Sequence, residues 1–236
     1  MYSAIVFDVN ETLLDLAALD SVFADHFGSA HFRKEWFREV LKLAFATTIV
    51  GKYSDFGVIG KAALEIVEKR HNKLCAEEQR GEILSMMRKL PAHPDVPAGL
   101  DALKKCGFPL VALTNSTGPS AEAQLTHAGI RHYFQSVFSA DSVKRLKPAW
   151  EPYVFAAKNL GAAASSLLMV AAHSWDLAGA TAAGWNAAFI ARPGQILDAL
   201  TAKPWLVAPD LGQLASQIIE ANRTGRLPRA PRNDWS

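Results

Sequence analysis

Residues 4–12 read Ala-Ile-Val-Phe-Asp-Val-Asn-Glu-Thr: four apolar side chains in a row, then Asp8, Asn10, Glu11 and Thr12 within five positions. An apolar run of strand length without polar alternation suits a strand covered on both faces, as in a parallel sheet. Leu110-Val111-Ala112-Leu113, Leu167-Leu168-Met169-Val170, Ala187-Ala188-Phe189-Ile190 and Leu206-Val207 repeat the pattern. Helical periodicity separates them near residues 98–106, 119–129, 150–160, 176–184 and 211–222, and Gly107, Gly129, Gly161 and Gly184 stand where such helices stop. Alternating strands and helices predict a doubly wound, Rossmann-like α/β parallel sheet with right-handed crossovers.

Residues 15–92 break the alternation with helical patterns alone. Leu41, Phe45, Thr48 and Ile49 share one predicted helical face, and Ile59, Ala62, Ala63, Ile66 and Val67 another. Ser54 and Asp55 are placed to cap the second helix, and Pro91, Pro94 and Pro97 mark the return to the sheet. The predicted organisation is an α/β core of 1–14 and 93–222, an all-helical cap inserted at 15–92, and a loosely ordered Arg/Pro-rich tail over 223–236.

The chain has 236 residues, 50% of them hydrophobic, which is ample for a core and too apolar for disorder. A formal charge of +2 lacks the basic excess of a nucleic-acid binder. No apolar run approaches the roughly 18 residues of a membrane span, and no basic, then apolar leader opens the chain. Cys75 and Cys106 cannot form a disulfide scaffold or a C-x-x-C zinc pair, and both are expected as small buried hydrophobes. A soluble cytoplasmic protein is the expectation.

Ligands of open α/β sheets bind beyond the carboxyl ends of the strands. There the sequence supplies Asp8-Val9-Asn10-Glu11-Thr12, Thr114-Asn115-Ser116-Thr117, Lys147-Pro148 and His173-Ser174-Trp175-Asp176. Each alone is an ordinary turn or cap signal; four together, in this order, point to a site.

The motifs FDVNETLLD, LTNST, KRLKP followed by Tyr153, and AAHSWDLAGA resemble the haloacid dehalogenase superfamily, and within it the L-2-haloacid dehalogenases of type II. The resemblance spans nearly the whole chain, cap included. It implies that Asp8 is a nucleophile forming a covalent ester, with Thr12, Thr114, Asn115 and Lys147 around that carboxylate or the substrate. A carboxylate nucleophile divides one hard displacement into two easier steps, and a nearby lysine keeps it ionised.

Most relatives are Mg²⁺-dependent phosphatases with D-x-D in the first motif and further acids in the fourth. Here Asn10 replaces the second aspartate and Ala171-Ala172 stand where Gly-Asp would be, leaving Asp176. Two acidic groups suited to Mg²⁺ are missing, which argues against phosphoryl transfer. Dehalogenation needs no metal or other cofactor. The common dehalogenase pattern carries Gly at the position of Glu11, and Ser and Asn at those of Ala171 and His173. Glu11 and His173 are therefore expected to form a dyad that activates water, similar to a His/Glu subgroup of these enzymes. The other six histidines are expected at the surface. Asp176 is expected to position Lys147 or to cap its own helix.

The cap arginine of the common pattern falls on Phe37, expected to wall the leaving-group end of the pocket, while Arg38 points elsewhere on the helix. Asn10, Tyr153, Trp175 and Asp176 complete the expected substrate contacts. The expected reaction is hydrolysis of a short 2-haloalkanoic acid, L (S) isomer preferred, to the 2-hydroxy acid. No nucleic acid or membrane is involved, and relatives are often homodimers. Two alternatives stay open: a Mg²⁺-dependent phosphatase rebuilt around Asn10 and Asp176, and a catalytically silent binding protein.

Overall fold

A computed structural model describes residues 2–200 and 203–225. The first strand, β1 (Ala4–Phe7), is buried throughout. It is followed by helices α1 (Asp20–Phe27), α2 (His31–Ile49), α3 (Phe56–His71), α4 (Glu77–Met86) and α5 (Val96–Lys105). Strands and helices then alternate: β2 (Leu110–Thr114), α6 (Gly118–His127), β3 (Ser136–Ser139), α7 (Trp150–Leu160), β4 (Leu167–Ala171) and α8 (Ser174–Ala182). Strands β5 (Asn186–Ile190) and β6 (Leu206–Ala208) and helix α9 (Leu211–Arg223) complete the described chain.

The six strands are parallel in the order β3-β2-β1-β4-β5-β6. Side-chain alternation on β1 sends Ile5 and Phe7 into one core layer and Ala4 and Val6 into the other. Burial on both faces is why the strand reads as continuously apolar. The chain turns in opposite directions from β1, and the register pairs Phe7 with Ala112 on one side and Val170 on the other. The tips of β2 and β4 therefore flank Asp8, at the crevice where such sheets bind ligands.

β3 was not predicted. It is an edge strand whose Ser-Val-Phe-Ser sequence has only two apolar residues, three of its four positions being partly exposed. The predicted helices fall within two or three residues of the observed ones. Gly161 ends α7 in the left-handed conformation (φ 61°) that glycine adopts without a Cβ clash.

Between β1 and α5 the described residues form helices and turns. Asp55 caps α3 as expected, accepting from the amides of Gly57 and Val58. On α3, Ile59, Ala63 and Val67 are buried while Ala62 is exposed. The predicted face of α2 is displaced: Trp36, Phe37, Val40 and Ala44 are its buried apolar residues, whereas Ile49 is 81% exposed. Trp36 decides this, because its indole donates to the carbonyl of Gly60 on α3 (2.9 Å). A buried side chain of that size contributes more than any residue of the rival face, about 1.5–3 kcal/mol being typical of full burial. The helical segment starts and finishes at one place. The amide of Asp15 donates to the carbonyl of Pro91 (2.9 Å) and that of His93 to Leu13 (2.9 Å).

Cys75 is buried as expected, but Cys106 is exposed at the C-terminus of α5, where the helix turns toward solvent. His93 is half-buried rather than superficial, its Nε2 lying 3.3 Å from the carbonyl of Glu11. Of the predicted tail, residues 223–225 end and follow α9; the remainder lies outside the described residues. Among the described residues no helix is long and apolar enough to cross a membrane.

Candidate active site

Asp8 follows β1 directly, its amide bonded to the carbonyl of Val170 (3.0 Å), so the adjacent strand holds its backbone. Its side chain is buried and hydrogen-bonded at both oxygens. Lys147 Nζ donates to Oδ1 (2.9 Å), and the hydroxyl of Thr12 donates to Oδ2 (2.6 Å) while accepting from the amide of Ala172 (2.9 Å). Nδ1 of His173 lies 3.3 Å from the same Oδ2. Burial alone would raise the Asp8 carboxyl, but Lys147, His173 and Thr12 together hold it well below the usual carboxylate range.

Lys147 has no exposed surface, and its three N–H groups meet three acceptors: Asp8, the Leu113 carbonyl (2.8 Å) and Asp176 Oδ2 (2.6 Å). Burial opposes the ammonium, yet two carboxylates raise its pKa above the ordinary lysine value. Tyr153 donates to Asp176 Oδ1 (2.6 Å), which fixes that carboxylate behind the lysine. Asp176 thus holds Lys147; the expected capping role is not seen, since no side-chain bond caps α8. Close approach of α8 makes this arrangement feasible. A Cβ on Gly179 would lie 2.6 Å from both the Pro148 carbonyl and the Tyr153 hydroxyl.

The other flank of Asp8 is the pair expected from the sequence. His173 Nε2 lies 2.9 Å from Glu11 Oε2, so the ring bridges two carboxylates. Burial disfavours the imidazolium, but Asp8 and Glu11 outweigh it and raise the His173 pKa from an ordinary 6.5 to about 9. Glu11 adopts a left-handed backbone (φ 60°), a conformation that costs a residue with a Cβ roughly 1–2 kcal/mol. That is the position where the resembled family carries glycine. Here the strained turn aims a carboxylate at the histidine. Gln195, on the segment after β5, donates to the same Oε2 (3.1 Å), and Arg33 of α2 approaches Oε1 at 4.0 Å.

A narrow cavity opens beside Asp8, with Asn10, Thr114, Asn115, His173 and Trp175 on the sheet side. Phe37, Leu41 and Phe56 close it from α2 and α3. Of the residues expected at the substrate, Tyr153 and Asp176 do not line it; both stand behind Lys147. Trp175 stacks on His173 (5.1 Å between ring centres), and its indole N–H has no partner among the described residues.

Sequence reasoning passed over Leu41, Phe56, Gln195, Gln124 and Arg33. For Arg33 a signal existed, since it precedes Phe37 by four residues and shares its helical face. Gln195 carried none, being one polar residue in a loop. Gln124 Nε2 donates to Asn10 Oδ1 (3.0 Å), and Asn10 Nδ2 donates to Ser116 (3.3 Å). Both ends of the Asn10 amide are thus occupied.

These residues do not fit the Mg²⁺ site of the phosphatase pattern. Asn10 brings no charge and spends its oxygen on Gln124, and both Asp176 oxygens are bonded to Lys147 and Tyr153. An ammonium also lies 2.9 Å from Asp8, where Mg²⁺ would need a vacant hard-oxygen ligand.

A family model of haloacid dehalogenase-like hydrolases matches residues 2–184. (S)-2-Haloacid dehalogenase H-109 of Pseudomonas putida is 28% identical over 220 residues, covering 92% of this chain and 97% of that protein. (S)-2-Haloacid dehalogenase 4A of Burkholderia cepacia is 28% identical, covering 81% and 84%. The crystal structure of the L-2-haloacid dehalogenase RSc1362 superposes with a TM-score of 0.88 at 26% identity, over 92% of this chain and 98% of that one. The L-2-haloacid dehalogenase of Xanthobacter autotrophicus, with chloropropionic acid covalently bound, gives 0.87 at 21% identity over 92% and 98%, a likeness of fold.

Proposed function

The chain belongs to the haloacid dehalogenase-like hydrolases, and we propose that it replaces halogen by hydroxyl on short 2-haloalkanoic acids, with preference for the (S) isomer, through an ester on Asp8. The observation that carries this reading is the placement of His173 between the Asp8 carboxylate and Glu11, in a site whose donors do not suit a metal. The names of the relatives supply the substrate class: curated proteins similar over most of the chain are (S)-2-haloacid dehalogenases.

In the first step a carboxylate oxygen of Asp8 attacks C2, the carbon–halogen bond breaks, and halide leaves with the bonding pair. Lys147 and Thr12 orient the nucleophile, and the unpartnered Trp175 N–H and the edges of Phe37 meet the leaving group. Asn10, Thr114 and Asn115 contact the substrate.

In the second step the ring of His173 takes a proton from water, whose oxygen attacks the ester carbonyl. The hydroxy acid departs with that proton. Two flanking carboxylates keep the resting ring protonated, with a pKa of about 9. Esterification neutralises one of them, so the ring becomes a base only once there is an ester to hydrolyse. The proton it gives up to solvent is the one released in the overall reaction.

The core of 1–14 and 93–222 and the cap of 15–92 divide the labour: the core carries every group that changes charge, and the cap closes the cavity and excludes water. The free thiols Cys75 and Cys106 suit a reducing cytoplasm. A homodimer is favoured by the exposed Ile49, Val50, Trp150 and Val154. These lie where Arg145 ties the Thr48 carbonyl (2.7 Å) to Glu151 (3.1 Å).

Halide release from (S)- and (R)-2-chloropropionate in EDTA, beside a p-nitrophenyl phosphate assay with Mg²⁺, tests the reading. Release in EDTA favouring the (S) isomer supports it; Mg²⁺-dependent phosphate release without halide overturns it.

A further inference from the structure

The catalytic cavity shares Phe37, Leu41, His173 and Trp175 with an open vestibule of about 430 Å³. Another compartment on the far side, below α3, shares only Phe37 and Phe56 with the cavity. The vestibule therefore adjoins the catalytic cavity over more of its lining, His173 included. Its floor is the Glu11–His173 pair; one wall is α2 and the other the 193–196 turn after β5.

The charges on that α2 wall are unusual. Arg33, Lys34 and Arg38 all line the vestibule. Arg33 is buried against Asp20 and Glu11. Lys34 and Arg38 are exposed, and among the described residues neither makes an ion pair or hydrogen bond. They stand four residues apart, so they repel each other on one helical face, an arrangement that weakens a helix. Two acids also line the vestibule, Glu11, which is committed to His173 and Gln195, and Asp198, whose Oδ1 accepts from the Leu200 amide; against Arg33, Lys34 and Arg38 they leave the lining with a positive excess. Two cations with no internal partner thus flank the passage to a buried nucleophile. On the dehalogenase reading every organic species that must use this passage is a carboxylate, and the second product is a halide.

We propose that the vestibule is an anion port, in which Lys34 and Arg38 draw the substrate carboxylate toward the Phe37–Trp175 threshold. The inference rests on the proposed function for the identity of the anion, and on the geometry for the route. Charges in a concave, low-dielectric approach raise the local concentration of an oppositely charged ligand and its rate of capture, and salt screens the effect.

The test compares wild type with the K34Q/R38Q double variant and the charge-conserving K34R/R38K variant, using (S)-2-chloropropionate. Ionic strength is set with Tris methanesulfonate, which adds no halide. At low ionic strength K34Q/R38Q is expected to lose roughly fivefold in kcat/KM with kcat kept, and K34R/R38K to behave as wild type. Near physiological ionic strength, where the screening length is about 8 Å, the difference should shrink toward unity. Equal kcat/KM at low ionic strength, a loss that salt does not reduce, or a loss confined to kcat would overturn the port. Should wild type release no halide from any haloacid, the substrate reading fails separately. The port is then judged by titrating ¹⁵N-labelled protein with D-lactate: shifts at the Arg38 and Trp175 side-chain N–H groups sustain it, and their absence removes it.

Discussion

Replacing Asp8 by asparagine removes one of the two carboxylates that flank His173 and keeps the shape of the side chain. The variant therefore imitates, in charge, the enzyme after its ester has formed. In the resting protein the ring is raised from 6.5 to about 9, against a burial effect that pushes it down. The hydrogen bond that the ring donates to Asp8 is the largest of the effects that raise it. Without that carboxylate the ring should titrate well below its wild-type value, since only Glu11 then opposes burial. Each unit of that fall is worth about 1.4 kcal/mol of proton affinity, or about tenfold in the population of neutral imidazole at a pH below the new value. The assay is a pH titration of the side chains by heteronuclear NMR, with His173 assigned by its absence in H173Q. A titration near 9 in both wild type and D8N would refute the reasoning: Asp8 would then not control the ring, and alkylation could not release it as a base.

Other variants probe the remaining parts. Glu11→Gln and His173→Gln should still release one equivalent of halide and then stall, leaving a stable adduct on the Asp8 peptide in mass spectrometry; normal steady-state turnover would remove the dyad. The raised His173 pKa also predicts a stability profile. A proton bound more tightly in the folded state contributes fully below pH 6.5 and is lost as pH rises through about 9, so Tm should fall across that window in wild type, by the equivalent of up to about 3 kcal/mol, and less in H173Q. Lys147→Met should abolish halide release and cost about 3–5 kcal/mol in denaturant unfolding, because Asp8 and Asp176 would be left buried without their cation. A folded, active variant would contradict the placement of Lys147.

Much of this was legible in the sequence because strand ends announce themselves. Asp8, Thr114 and His173 each end or follow an apolar run, and parallel pairing of those runs brings them together. Contacts that depend on how helices dock were not legible. Periodicity placed the buried face of α2 on Leu41 and Phe45, but the Trp36–Gly60 hydrogen bond rotates it. As a result Leu41 faces the cavity, and Phe45 meets Trp175 edge to face, with ring centres 5.3 Å apart. Gln195 and Gln124 escaped because a lone glutamine in a loop or helix has no spacing to betray it. The edge strand β3 escaped because half of its residues are serine.

The single attachment point of the helical insert bears on how the chain reaches this fold. Ile5 pairs with Leu110, yet the whole insert lies between them. Closing an unstructured loop of about a hundred residues costs about 2 kcal/mol more than closing one of about ten. If α1–α4 condense first, the bonds from Asp15 to Pro91 and from His93 to Leu13 deliver the two ends side by side, and β1 meets β2 across a short tether. The insert would then act as a folding staple for the sheet, and a lesion in its core, such as Trp36→Ala, would slow the pairing of strands it never touches.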